Sequence, residues 1–222
     1  MTRLLLSAVV AFALVAGGAY LWNAQHNSLP EVSLNPVSAA DAQEVDTSIV
    51  QEMALGSDDA PVTVIEYASF TCPHCANFHN SVFKDLKENY IDTGKVRFVY
   101  REVYFDRLGL WAGMTARCGG PERYFGITDL LYEQQRDWVG SGNPGEVAEN
   151  LRRIGRVAGL SDEQLDSCLQ DAEKAQALVA AYQANAAADG ISSTPSFVID
   201  GQSYSNMNYR DFSAILDDLL ED

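Results

Sequence analysis

The sequence predicts an α/β fold whose frame is interrupted by a long block of helix, and three observations predict it. A β-branched run from Pro61 to Ala68 precedes a helical stretch and a second alternating run from Lys95 to Val103. Strand, helix, strand at this length is a βαβ unit with parallel pairing. From about Leu108 to Asp189 the strand signal vanishes, and helical stretches alternate with glycine- and proline-bearing breaks. Strand character then returns at Ser196 to Ile199, and an amphipathic helix closes the chain.

Taken in order, the first element is a leader. Arg3 precedes an uncharged apolar run from Leu4 to Leu21, with Gly17, Ala19 and Ala24 offering small-residue cleavage positions. That layout reads as an export signal, or as an uncleaved anchor at the lower edge of bilayer-spanning length. The cleaved signal is the preferred reading. Either places the remainder outside the cytoplasm, where disulfides persist. Residues 1–22 are therefore assigned to the signal peptide or membrane anchor, and 23–59, with Pro30, Pro36 and no sustained period, to a linker. Residues 60–222 form the domain, with the helical insertion spanning about 107–190.

Within that domain, Phe78, Val82, Phe83, Leu86 and Tyr90 follow helical spacing, and Gly94 ends the element. In the helical block, Ser161 followed by Asp162, Glu163 and Gln164 is an N-cap with acidic residues in the first turn. Asp200-Gly201 marks a hairpin turn into Gln202 to Tyr204. Phe212, Ile215, Leu216 and Leu219 share one side of the last helix.

Composition mainly excludes. The chain has 222 residues, 15 Lys+Arg against 31 Asp+Glu, and a net charge of −16. That balance opposes sequence-independent nucleic-acid binding, which needs cations to neutralise phosphates, and electrostatic attachment to anionic lipid. Apolar residues at 47% exclude wholesale disorder.

The four cysteines carry the chemistry. Cys72 and Cys75 lie three apart, directly after a strand and at a helix start. One helical face then holds both sulfurs within reach of a reversible disulfide. Free N–H groups and the positive end of the helix dipole favour a thiolate on Cys72, and His74 adds a donor between the two. A Cys72 thiol titrating near ~4 rather than ~8.5 corresponds to roughly 6 kcal/mol in favour of the reduced, charged form. Such a pair gives its disulfide away.

Competing readings are weaker. Zinc held by Cys72, Cys75 and His79 lacks a fourth ligand, His26 lying in the linker. Haem attachment needs histidine where Ala76 stands. A structural disulfide across so tight a loop constrains little chain entropy. No metal and no cofactor is expected.

Three further features complete the reading. Thr194-Pro195 precedes an apolar strand, so Pro195 belongs at the strand's entrance, either as an ordinary trans edge proline or as part of a cis-proline loop. Set beside a strand–CxxC–helix unit, the pair resembles the cis-proline loop of thioredoxin-type folds, which lies against the cysteine sulfurs and offers backbone groups to an extended substrate segment. Glu66 alternates with apolar residues in the first strand. Facing inward it is a buried carboxylate able to relay a proton to or from Cys75; facing outward it is an ordinary strand residue. Cys118 and Cys168 lie fifty apart in the helical block. A bond between them would stabilise by roughly 4 kcal/mol in the chain-entropy model, the alternatives being a second redox pair or two free thiols.

These residues carry a family resemblance. The run from Val64 through Glu66 to Cys72-Pro73-His74-Cys75, the run from Ser193 through Thr194-Pro195 to Gly201, and the intervening helices resemble the DsbA-like thiol:disulfide oxidoreductases. The resemblance covers about Pro61 to Leu220 and implies a thioredoxin-like fold with an inserted helical domain. It implies a monomeric periplasmic donor of disulfides to unfolded or reduced exported proteins, reoxidised by a quinone-linked membrane partner. Cys72 would be the nucleophile, Cys75 the buried resolving thiol, His74 the tuner of the thiolate, and Thr194-Pro195 the substrate contact. Two features depart from the family pattern. Thr194 stands where some members have valine, and Tyr100 takes the inward position of the basic partner often paired with the strand glutamate. A disulfide isomerase or reductase on the same fold, and a non-catalytic binding protein, remain as alternatives.

Overall fold

The computed structural model describes residues 45–221; the leader and the first part of the expected linker lie outside them. The strands are β1 (Met53–Leu55), β2 (Val62–Ala68), β3 (Val96–Glu102), β4 (Ser196–Ile199) and β5 (Gln202–Ser205). They form one sheet in the order β1-β3-β2-β4-β5. The pair β2–β3 is parallel, and every other pairing is antiparallel.

Between β2 and β3 lie α1 (Pro73–Asn80), α2 (Val82–Leu86) and a π-helical turn over Lys87–Ile91. The sequence suggests one continuous helix here, and the structure breaks it at Ser81. Ser81 adopts φ −132° and ψ −83°, and its backbone N–H donates to the Phe78 carbonyl. Its hydroxyl donates back to the Asn77 carbonyl at 2.6 Å, the competing local bond that makes serine a poor interior helix residue.

Part of the stretch read as linker is also ordered. β1 pairs antiparallel with β3, and Gly56 (φ +88°) turns the chain into β2. A strand this short has almost no periodicity to read, so only its partner reveals it.

The helical block runs through α3 (Arg107–Cys118), α4 (Pro121–Glu133), α5 (Gln135–Val139), α6 (Pro144–Val157), α7 (Asp162–Leu169) and α8 (Ala172–Ala188). Pro121 and Pro144 open their helices where a missing N–H costs nothing. Ser161 caps α7 through a reciprocal capping box with Gln164. Cys118 and Cys168 are bonded, with Cα atoms 5.7 Å apart, tying α3 to α7.

The hairpin from β4 to β5 turns at Asp200 (φ 46°) and Gly201 (φ 82°), a turn whose twist matches the flanking strands. The closing helix α9 (Tyr209–Glu221) buries Phe212 and Leu216. Phe212 meets Phe197 of β4 and Phe78 of α1 at ring-centroid distances of 5.0 and 6.2 Å, so α1 and α9 cover one face of the sheet. Tyr67, Val198 and Val103 gather with Ala186 of α8 in a second, smaller cluster. The core thus reaches from the sheet into the helical block, and the first turn of α1 sits at the junction.

Candidate active site

The redox turn begins where β2 runs out. After Ala68 the chain turns through Ser69, Phe70 and Thr71, and the Cys72 amide donates back to the Ser69 carbonyl at 3.1 Å. Cys72 is the N-cap of α1 in extended conformation, and Pro73 is the first helical residue. The Cys72 sulfur therefore lies over the open end of the helix, where unpaired N–H groups point outward. Cys75, one turn on, faces the core.

Both cysteines are free thiols, Cys72 half-buried and Cys75 fully buried. Their titrations are pushed apart. Cys72 is lowered from 9.0 to about 5, chiefly because the Cys75 thiol donates to its sulfur. Burial, the next largest effect, opposes this, and the neighbouring Thr194 side chain and the backbone N–H groups of Cys75 and His74 reinforce it. Cys75 is pushed far above the ordinary thiol range by burial, then by its bond to Cys72 and the negative charge of Glu66.

Thr194 and Pro195 lie against Cys72. Their peptide bond is cis, and the Thr194 carbonyl accepts from the Cys72 thiol at 3.6 Å. The Thr194 hydroxyl is buried with no partner in this arrangement, which leaves it free to donate to the sulfur once Cys72 ionises. His74 is solvent-exposed, and its effect on Cys72 comes through its backbone N–H.

Glu66 faces inward and is fully buried. Tyr100 does stand beside it on β3, in register. A basic partner exists nonetheless, supplied by a different element: His79 of α1 reaches Glu66 at 2.9 Å, Nε2 to Oε2, with both side chains buried. The spacing from Cys75 to His79 puts the imidazole on the buried face of α1, and that i, i+4 relation was the available signal. The Tyr132 ring stacks on His79 at 4.3 Å, and Phe70 packs on Tyr100 and Tyr132 at 5.7 and 5.3 Å. This aromatic shell excludes water from the pair. Glu66 Oε1 and His79 Nδ1 are left without hydrogen-bond partners.

Sequence reasoning also missed two anchors supplied by the helical block. Asp106, the N-cap of α3, accepts from the Thr71 hydroxyl at 2.7 Å. Gln135, at the start of α5, donates to the carbonyls of Phe70 and Cys72 at 2.8 and 3.0 Å. Neither belongs to a local motif, so only the tertiary fold places them.

The chain is similar in sequence and fold to known proteins. A family model described as thioredoxin matches residues 48–218. A Rickettsia bellii relative is 35% identical over 172 residues, or 77% of this chain. The chain covers 65% of that relative's own length. The protein named disulfide bond formation protein D of Bacillus subtilis is 33% identical over 122 residues, covering 51% of this chain and 55% of its own. The crystal structure of Wolbachia pipientis alpha-DsbA1 superposes with a TM-score of 0.70 at 30% identity, covering 78% of this chain and 92% of that one. The family-model match spans most of the chain and the superposition covers the sheet together with the inserted helices: the chain belongs to the thioredoxin family, in its DsbA-like form.

Proposed function

We propose that the protein is a thiol:disulfide oxidoreductase that introduces disulfides into exported proteins through Cys72 and Cys75. The observation that carries this is the placement of the pair, Cys72 half-buried as the N-cap of α1 against the Thr194 carbonyl and Cys75 fully buried one turn on, a placement that lowers the first thiol and raises the second.

In the oxidised enzyme a substrate thiolate attacks the exposed Cys72 sulfur. The Cys72–Cys75 bond breaks, a mixed disulfide forms, and the electron pair leaves on Cys75. Burial makes a Cys75 anion costly, so the leaving sulfur takes a proton. Glu66, with His79 behind it, is the group we assign to supply and later remove that proton. A second substrate thiolate then attacks the substrate sulfur of the mixed disulfide. Cys72 departs as a thiolate stabilised by the helix N–H groups and Thr194, and a low-pKa thiol is a good leaving group. The substrate has lost two electrons and the enzyme has gained them. The cis-proline loop at Thr194-Pro195 lies where an extended substrate segment meets Cys72.

Export by the residue 1–22 leader, a periplasmic location and reoxidation by a quinone-linked membrane partner complete the proposal. Among the described residues no helix is long and apolar enough to cross a membrane.

The test is oxidative refolding of a reduced, unfolded protein by the oxidised enzyme. Cys72→Ser should abolish turnover, while Cys75→Ser, incubated with a disulfide-bonded protein whose disulfide the Cys72 thiolate attacks, should trap a mixed disulfide on Cys72. Turnover surviving in Cys72→Ser would overturn the assignment.

A further inference from the structure

Gln135 belongs to the helical insertion, yet its carboxamide ends inside the redox turn. The side chain is 7% exposed. The atom facing the turn lies 2.8 Å from one carbonyl oxygen and 3.0 Å from another, so it is the amide nitrogen, spending both hydrogens there. The carbonyls are those of Phe70, two residues before the nucleophile, and of Cys72 itself. The Cys72 carbonyl also accepts the Ala76 N–H at 3.1 Å, the first hydrogen bond of α1. Gln135 therefore grips the peptide that joins the cysteine to the helix.

The grip has a stiff base. Helix α4 ends at Glu133, Gln134 breaks the helical run with φ −103° and ψ 18°, and α5 restarts at Gln135. The buried Trp138 indole donates across this bend to the Leu131 carbonyl at 2.8 Å, fixing its angle. On the other side of the turn, Thr71 is held by Asp106.

We propose that Gln135 is a positioning residue for the redox turn, holding the Phe70 and Cys72 carbonyls so that the Cys72 sulfur stays over the N–H groups of His74 and Cys75. The tilt of the Cys72–Pro73 peptide sets where those N–H groups point relative to the sulfur. Drawing both carbonyls onto one donor also keeps two negative oxygen ends occupied and away from the developing thiolate. Without the donor, the Phe70 carbonyl loses its Gln135 bond and the Cys72 carbonyl keeps only the Ala76 N–H, both beside a half-buried anion, which disfavours the anion.

The inference rests on the exchange chemistry proposed above, but its test needs no exchange partner. Cys72 ionisation is followed by thiolate absorbance in the reduced full chain for wild type, Gln135→Met and Gln135→Glu. Met keeps the length and removes the donor; Glu keeps size and polarity and puts carboxylate oxygens against the carbonyls. We expect the Cys72 midpoint to rise by roughly one pH unit in Gln135→Met and by more in Gln135→Glu, a tenfold or greater loss of thiolate below the midpoint. The glutathione equilibrium should shift in the reducing direction in the same order. A lower melting temperature with both readouts at wild-type values would make Gln135 merely structural and overturn the proposal. If Gln135→Met does not fold, Gln135→Glu alone decides by the same criterion. An inactive wild type whose Cys72 midpoint still moves in the variants would sink the oxidase reading and leave this inference standing.

Discussion

At the scale of single residues, the protein is organised around unequal thiols. Cys72 is depressed chiefly because the Cys75 thiol donates to its sulfur, and Cys75 is raised because it is buried, bonded to Cys72 and close to Glu66. Alkylation of the reduced protein should therefore begin near pH 5 and act on Cys72 alone. Iodoacetamide modification followed by peptide mapping checks this, and half-reaction near pH 8.5 would contradict it.

The same shift predicts a pH-dependent stability. A thiol with a lower pKa folded than unfolded stabilises the reduced form fully above the unfolded value and loses this as pH falls through about 5. Cys75, shifted the other way, opposes it only above the ordinary thiol range, so the window to examine is pH 4 to 8. The reduced enzyme should melt above the oxidised enzyme at pH 7, and the gap should close towards pH 4. Calorimetry of both forms reads it directly.

Glu66 and His79 are a buried pair, and breaking it from one side leaves an uncompensated polar group. Glu66→Leu alone should cost about 3–5 kcal/mol, and Glu66→Leu with His79→Leu much less, because neither partner is then orphaned. The isosteric Glu66→Gln should slow formation of the mixed disulfide, the step in which Cys75 leaves and takes a proton, by roughly 10²-fold, as removal of a general acid–base does. A double-mutant cycle in urea and single-turnover kinetics separate the two effects.

At the scale of elements, what was legible followed periodicity and punctuation. The runs before Ala68 and around Phe98 alternate strongly enough to announce β2 and β3, and Asp200-Gly201 has the residues its left-handed turn requires. The Ser161 cap was legible for the same reason, its signal lying within four residues. The features missed depend on distant partners. β1 is three residues long and exists through pairing with β3. The Ser81 break turns on a choice between helical and local hydrogen bonds that spacing cannot reveal. His79 was visible but unassigned, since its partner lies on another element. Gln135 and Asp106 reach the site from a block whose sequence contains no trace of it.

Gly56 tests the β1 element. A Cβ there would run into the Val96 carbonyl oxygen, a backbone atom that cannot step aside, and φ is +88°. Gly56→Ala should therefore destabilise by about 1–3 kcal/mol, with protection of the β1–β3 amides against hydrogen exchange falling first.

At the scale of the whole molecule, the two cysteine pairs divide the work. One, which we assign as the reagent, sits at the end of β2; the other closes a fifty-residue separation between α3 and α7. Replacing both Cys118 and Cys168 by alanine should cost roughly 4 kcal/mol on the chain-entropy account. For a body of this size that is a fall of about 8–15 °C in melting temperature. Removal without change in the melting temperature would mean the helices hold themselves.

The insertion also matters to the redox turn, gripping it through Asp106 and Gln135 from both sides. The sheet presents Cys72, the insertion holds it, and the cis-proline loop covers it. All three converge on one claim, that the reduced pair is the stabilised form. The reduction potential of Cys72/Cys75 in glutathione buffers measures that claim most directly. A value well above thioredoxin's −270 mV, towards about −120 mV, is the expected result. A value near −270 mV would contradict the account and make the protein a reductant.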